Sequence, residues 1–130
     1  MSGIEIRTGA GVLDSNILIY LSKGQLSFKT ISDRYDAIYI PSIVYMEVLG
    51  FPFRDAEEES RLVNFLNTLP VYQTDMDIAN LVIQYRKQSR IKLPDAIILA
   101  TARKLGAELM TQNVNDFQNI DPKVPIVSPF

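Results

Sequence analysis

The sequence contains neither cysteine nor histidine. The lack of cysteine excludes disulfides, thiolate nucleophiles and cysteine-based zinc or iron–sulfur sites. The lack of histidine removes the usual general base at neutral pH, the commonest transition-metal ligand and the serine–histidine triads. Any chemistry must therefore use carboxylates, hydroxyls, amides, lysine, arginine or tyrosine. Among metals, a carboxylate-rich site favours hard ions such as Mg²⁺ or Mn²⁺.

Long apolar runs and an excess of positive charge are also missing. No apolar run approaches the roughly 20 residues that span a bilayer, and the first ten residues, MSGIEIRTGA, lack the apolar core of a signal peptide. We therefore expect a cytoplasmic protein without a membrane partner. The net charge of −2 gives no global sign of nucleic-acid binding, so any basic surface must be local. A length of 130 residues fits one domain, predicted to cover 1–130.

Short apolar segments alternate with amphipathic helical ones along the chain. Strands are predicted near 11–14, 37–40, 69–72, 108–111 and 126–127, with helices in the intervening segments. This alternation predicts an α/β fold of three layers, α/β/α, around a central parallel sheet. A proline in the third strand favours an edge position, and the last strand is expected at the other edge.

Three carboxylates follow predicted strands. Asp14 ends the first strand, Glu47 lies in the helix after the second, and Asp116 follows the strand at 108–111. Right-handed crossovers bring such junctions to one edge of the sheet. Asp95 opens the helix before the strand at 108–111, so topology alone does not bring it to that edge.

Clustered carboxylates repel one another, and a divalent cation removes that cost. One or two Mg²⁺ or Mn²⁺ ions could then activate water towards a phosphodiester without histidine. The alternative is that each acid is a cap or a surface residue of its own helix.

Four cations end the helix predicted over 74–89 and its following loop: Arg86, Lys87, Arg90 and Lys92. Cations there complement the helix dipole, which is sufficient reason for their position. They also form the one basic patch in an acidic protein, and such a patch could hold a phosphate backbone. Both interpretations stay open.

Four segments, VLDSNILIYL, PSIVYMEVLG, KLPDAIILATARKLGAELMTQN and NVNDF, resemble in order and spacing the PIN-domain family, and within it the VapC-type toxins. The resemblance covers essentially the whole chain. It implies a three-layer α/β/α nuclease that binds Mg²⁺ or Mn²⁺ and cleaves RNA as an endoribonuclease, the toxin of a type II toxin–antitoxin pair. An antitoxin protein and a homodimer are the implied protein partners.

The resemblance also assigns roles to individual residues. It implies metal binding and catalysis by four acids, with the first two as the more direct ligands: Asp14, Asp95, Glu47 and Asp116. It implies hydrogen-bond support from four polar residues: Ser15, Asn16, Thr111 and Asn113. One departure is Tyr45, which stands where the family commonly has a small polar residue.

Two other functions compete with the ribonuclease. A catalytically silent PIN-like binding or assembly module would keep the acids as structural residues. A haloacid-dehalogenase-like phosphatase would need a second aspartate two residues after the first, and Asn16 stands in that place. The segment with Phe51 and Phe53 is a candidate partner contact, although phenylalanines are more often core residues.

Overall fold

The computed structural model describes residues 9–130. The first eight residues, part of the segment predicted to lack a signal-peptide core, lie outside the described residues. The strands are β1 Ala10–Leu13, β2 Ala37–Pro41, β3 Val71–Tyr72, β4 Glu108–Met110 and β5 Ile126–Val127. The helices are α1 Ser15–Ser22, α2 Phe28–Arg34, α3 Ser42–Leu49, α4 Ala56–Leu66, α5 Met76–Gln88, α6 Leu93–Lys104 and α7 Val114–Phe117. Between residues 9 and 130, no helix is long and apolar enough to span a bilayer.

The strands form one parallel sheet in the order β3-β2-β1-β4-β5. The chain fills the sheet outwards from β1, first to one side and then, through α6, to the other. This arrangement confirms the predicted α/β fold with a central parallel sheet. The two edge positions predicted from the sequence are also confirmed, because β3 and β5 are the outer strands.

The sheet is covered on both faces. Val12 and Leu13 are neighbours in β1, so their side chains point to opposite faces, and both are 0% exposed. Against this sheet α6 packs with small side chains: Ala96, Ala100 and Ala102 are also fully buried. Small residues let the helix backbone approach the sheet closely, which holds the start of α6 in a fixed place.

The third strand is shorter than predicted. The sequence predicts 69–72, but only Val71–Tyr72 pairs with β2. Pro70 has no N–H to donate, although its carbonyl accepts a hydrogen bond of 3.0 Å from the Ile40 N–H. Pro70 can therefore accept a hydrogen bond from β2 but cannot donate one, and regular pairing begins only at Val71.

Gly11 in β1 lies under the ring of Tyr35. A Cβ atom at position 11 would stand 2.6 Å from two ring carbons, closer than any real contact. The Tyr35 hydroxyl donates a 2.7 Å hydrogen bond to Glu108 Oε1 in β4. Position 11 therefore has room only for the hydrogen atom of glycine. The Tyr35 ring above it connects the segment before β2 to β4 through the hydroxyl group.

Asp121 connects α5, α6 and the loop before β5. It is 7% exposed and accepts hydrogen bonds from the Tyr85 hydroxyl, from Arg103 at 2.8 Å and from the Lys123 N–H at 3.0 Å. Burial alone raises the pKa of Asp121, but these hydrogen bonds outweigh it and hold the pKa below its usual range. The folded protein therefore stabilises the ionised carboxylate.

We expect Asp121→Asn to lower the free energy of unfolding at pH 7 by about 2 kcal/mol, because it removes a charged acceptor from several donors. The folded pKa lies below the unfolded value of 3.8, so this contribution is complete above about pH 4 and fades as the pH falls through the folded pKa. Urea unfolding at pH 7 and pH 3 measures both. The matched control Asp77→Asn removes an exposed ion pair with Lys104 and should cost less. Equal losses in the two variants would contradict the role of Asp121.

Candidate active site

The parallel register brings Asp14 and Thr111 together. Leu13 pairs with Met110, so the residues that follow them leave β1 and β4 side by side. The Asp14 N–H continues the pairing with a 3.0 Å hydrogen bond to the Met110 carbonyl. The Thr111 hydroxyl then donates to Asp14 Oδ2 at 2.7 Å. Two segments 97 residues apart in sequence thus meet at the carboxyl end of the sheet.

Asp14 is held by three donors. Besides Thr111, the Ser15 N–H donates to Oδ1 at 2.7 Å and the Asn16 amide to Oδ2 at 3.3 Å. The carboxylate is only 6% exposed. Burial raises the pKa of Asp14 above its usual value, the hydrogen bonds from Thr111 and Ser15 oppose this, and the charge of Glu47 adds to the rise. The side chain is thus fixed in orientation, while its charge is incompletely compensated.

Glu47 reaches the same place from α3. It is exposed, and its Oε1 accepts a 2.6 Å hydrogen bond from the Ser15 hydroxyl at the start of α1. Ser15 therefore contacts two acids, Asp14 through its N–H and Glu47 through its side chain. The position of Glu47 beyond the end of β2 agrees with the expectation from parallel topology.

Asp95 also lies near the other acids, although the strand order predicted from the sequence did not require this position. It lies in the first turn of α6, which begins at Leu93 with Pro94 next. Burial raises the pKa of Asp95 to about 6, with further contributions from the charges of Asp14, Asp116 and Glu47, in that order, while Lys92 opposes the rise. The charges of the other three predicted acids therefore all act on Asp95.

The four acids form a loose cluster. Asp116 is exposed on the short helix α7, while Asp95 is half-buried. As the side chains of residues 9–130 are placed, no three acidic groups already converge into a set that could hold a metal ion. The chemistry of the donors nevertheless suits Mg²⁺ or Mn²⁺, since all are carboxylate oxygens with unfavourable mutual charge.

Two further predicted residues fasten the loop after β4. The Asn16 Oδ1 accepts a 3.1 Å hydrogen bond from the Gln112 N–H, while its Nδ2 donates to Asp14. The Asn113 N–H donates at 3.0 Å to the Thr111 hydroxyl, the same group that donates to Asp14. Asn113 thus acts through its backbone, whereas Asn16 acts through its side chain.

A groove of about 390 Å³ is lined by two of the acids, Asp95 and Asp116, and by part of the basic patch. Helices α5 and α6 pair antiparallel, as the contacts of Lys104 at the end of α6 with Asp75 at the start of α5 show. The connection after α5 consequently lies beside the start of α6. The residues that line the groove are Ser89, Arg90, Ile91, Lys92, Asp95, Asn115, Asp116, Gln118, Asn119 and Ile120.

The predicted cations separate into two pairs. Arg90 and Lys92 line the groove with Asp95, whereas Arg86 and Lys87 do not. Arg86 instead donates to the Ile91 carbonyl at 3.4 Å and so holds the connection between α5 and α6. The sequence could not separate these pairs, because all four lie within one short segment.

Three amide residues of the groove were not predicted: Asn115, Gln118 and Asn119. The available signal was the polar segment 112–117, which the sequence predicts as a turn leading to a short helix. Amide side chains in such a segment carry no distinctive pattern that would mark them as binding residues.

Comparison with known proteins identifies relatives over nearly the whole chain. The PIN domain model matches residues 11–122. Ribonuclease VapC1 of Rickettsia felis is 31% identical over 123 residues, 84% of this chain and 89% of the relative. A toxin–antitoxin complex from Klebsiella pneumoniae contains a chain that is 35% identical, with a TM-score of 0.75, covering 92% of this chain and 98% of that one.

A second solved structure is similar in fold. VapBC2 from Rickettsia felis, bound to a DNA fragment from its promoter, superposes with a TM-score of 0.76 at 20% identity, covering 92% of this chain and 98% of that chain. The parallel sheet and the acids at its carboxyl edge define an α/β protein of the PIN type. The chain belongs to the PIN-domain family, and its relatives there include VapC ribonucleases.

We expect Asp95→Asn to stabilise the protein in EDTA at pH 8 by about 1 kcal/mol, after allowance for solvent screening of a half-exposed group. The folded pKa of about 6 lies above the unfolded 3.8, so ionised Asp95 opposes folding. The gain should shrink as the pH falls from 6 to 3.8 and vanish below that range. Urea unfolding at pH 8 and pH 4 checks this. Asp55→Asn, which exchanges one good helix cap for another, serves as control. A destabilised Asp95→Asn at pH 8 would contradict the clustering.

Proposed function

We propose that the chain is a metal-dependent endoribonuclease that hydrolyses RNA phosphodiester bonds, the toxin of a type II toxin–antitoxin pair. One observation carries this proposal: four carboxylates lie close enough for the charges of three to act on Asp95, and two of the four share a groove with two cations. The ribonuclease named among the relatives supports it. A cytoplasmic location would give such an enzyme direct access to RNA.

Asp14 and Asp95 are the residues that would hold Mg²⁺ or Mn²⁺ most directly, with Glu47 and Asp116 at the outer side of the cluster. The partial exposure of Asp95 and the exposure of the outer pair support this division. A bound divalent ion would supply Lewis acidity towards a phosphodiester and would offset the repulsion among the acids.

The chain's own residues fix the geometry of the cluster. Thr111 and Asn16 donate to the same oxygen of Asp14, which orients the carboxylate and favours its ionised form. Ser15 restrains Glu47 at 2.6 Å, so that an exposed acid on α3 stays near α1. Such restraint lowers the entropy lost when a substrate and its ion are bound.

Arg90 and Lys92 are suited to hold the RNA backbone next to the acids. Both are exposed, neither forms an ion pair with another of residues 9–130, and both line the groove. Cations that line a groove attract a phosphate chain and release its counterions.

An antitoxin protein and a second copy of the chain are the proposed protein partners, in line with the toxin–antitoxin complex named among the solved relatives. Helix α3 leaves Tyr45, Met46 and Leu49 at 37%, 63% and 36% exposed, and Phe51 follows at 36%. A run of large exposed apolar side chains favours a protein partner. Phe53 is half-buried beside Phe51, so Phe51 is the more accessible of the two for such a partner.

We expect Asp14→Asn and Asp95→Asn each to lower cleavage of RNA by more than about 100-fold, the upper end of the loss seen when groups behind metal ligands are removed. Cleavage of total RNA with Mg²⁺ or Mn²⁺, compared with EDTA, gives the rate, and calorimetry with Mn²⁺ gives binding. Asp33→Asn, on α2 and paired with Lys29, is the matched control.

Asp95→Asn is the decisive variant because it is expected to fold at least as stably as the wild type. Retained cleavage in both Asp14→Asn and Asp95→Asn would reject the proposed function. A wild type that neither binds Mn²⁺ nor cleaves RNA would favour the silent PIN-like binding module instead.

We expect Arg90→Gln combined with Lys92→Gln to reduce the slope of log affinity for single-stranded RNA against log salt by about 1.4, because each lost phosphate contact removes about 0.7. Binding is measured by fluorescence anisotropy in an Asp14→Asn background, which prevents cleavage. Lys87→Gln, a cation outside the groove, should leave the slope unchanged. An equal change with Lys87→Gln would show that the basic patch acts as a whole.

A further inference from the structure

The groove contains a third kind of group besides acids and cations. The amide side chains of Asn115, Gln118 and Asn119 line it, and all three residues are exposed. Their amides make no hydrogen bond with other residues in the range 9–130. Each amide has both donor and acceptor capacity, which is the combination that pairs with the edge of a nucleobase.

The groups that line the groove are of the kinds that bind the parts of a nucleotide. Asp95 and Asp116 belong to the acid cluster, where a scissile phosphate would lie, and Arg90 and Lys92 can hold the neighbouring phosphate. Ile91, 8% exposed, together with Ile120, adds an apolar wall for a base or sugar. A volume of about 390 Å³ suits one bound nucleotide, since small-ligand sites begin near 300 Å³.

The adjoining hollow on the other side of Gln118 and Asn119 differs in chemistry. It has a volume of about 550 Å³, but among its lining residues the charged one is Asp121, whose oxygens already accept hydrogen bonds from Tyr85 and Arg103. None of the residues that line this hollow is a cation, so it offers a phosphate chain no positive charge to bind. The two amides thus form a ridge whose acid-and-cation side alone is suited to RNA.

We propose that this groove is a nucleotide subsite in which Gln118 and Asn119 contact the base next to the scissile phosphate and set the sequence preference of cleavage. The inference rests on the proposed ribonuclease function and extends it to the residues that select the substrate. Asn119 has φ +66°, the left-handed conformation, which asparagine tolerates better than most residues. Its backbone therefore turns the chain at the point where the amide meets the groove.

The conformation of Asn119 decides which variants are informative. Asn119→Ala would combine loss of the amide with backbone strain, because alanine is disfavoured at positive φ. Asn119→Gly removes the amide and keeps the turn without strain. Gln118→Ala removes the second amide, and Gln84→Ala, an exposed glutamine on α5 outside the groove, is the matched control.

The experiment uses a short RNA pool randomised around one position, with the cut ends sequenced and kcat/KM obtained for each base. We expect Asn119→Gly or Gln118→Ala to lower the ratio between the preferred and the other bases by about tenfold at one position beside the cut, the size of one lost base contact. Gln84→Ala should keep the wild-type ratio. Thermal melting confirms that each variant is folded.

Unchanged base ratios in both groove variants would overturn the subsite, as would an equal fall in kcat/KM for all four bases, which is the mark of a structural role. A shift of the ratio with Gln84→Ala would also overturn it. These results differ from failure of the proposed function, in which the wild type itself leaves every RNA in the pool intact.

Discussion

Repulsion among carboxylates at one edge of a parallel sheet is the constraint on which the site depends. Asp95 is disfavoured in its ionised form by burial and by the charges of three other acids, so folding must oppose a local cost. The buried sheet and the hydrogen bonds around Asp14 supply the opposing stability. A site that is costly without a cation is well suited to bind one, because the cation attracts each carboxylate and offsets their mutual repulsion.

Support for the acids comes from the backbone pairing rather than from one helix. The register of β1 against β4 sets the distance between Asp14 and Thr111, and the loop after β4 is tied back through Asn16 and Asn113. The antiparallel pairing of α5 and α6 then brings Arg90 beside Asp95. The acid cluster and the two cations of the groove are thus both placed by one topology, which explains how an acidic protein can present a local cationic surface.

The sequence was sufficient to predict the fold because alternating strands and helices allow few parallel arrangements. It was also sufficient to predict that Asp14, Glu47 and Asp116 lie at one edge of the sheet, because the carboxyl ends of parallel strands share that edge. The place of Asp95 in the cluster was predicted only through the family resemblance, since α6 follows another helix, α5, and not a strand. The sequence did not predict that β3 begins only at Val71, because the extent of pairing around Pro70 depends on how β2 lies beside it. Gln118 and Asn119 were missed because their role depends on the shape of a surface.

The contact between Gly11 and Tyr35 restricts how this sequence can vary. Any side chain at position 11 would occupy the space of the ring, and a smaller residue at position 35 alone would leave a void and remove the hydroxyl that contacts Glu108. A change at either position alone therefore costs stability. We therefore expect substitutions at these two positions to arise as a correlated pair among related chains, a link between β1 and the chain before β2 that would be visible from alignments alone.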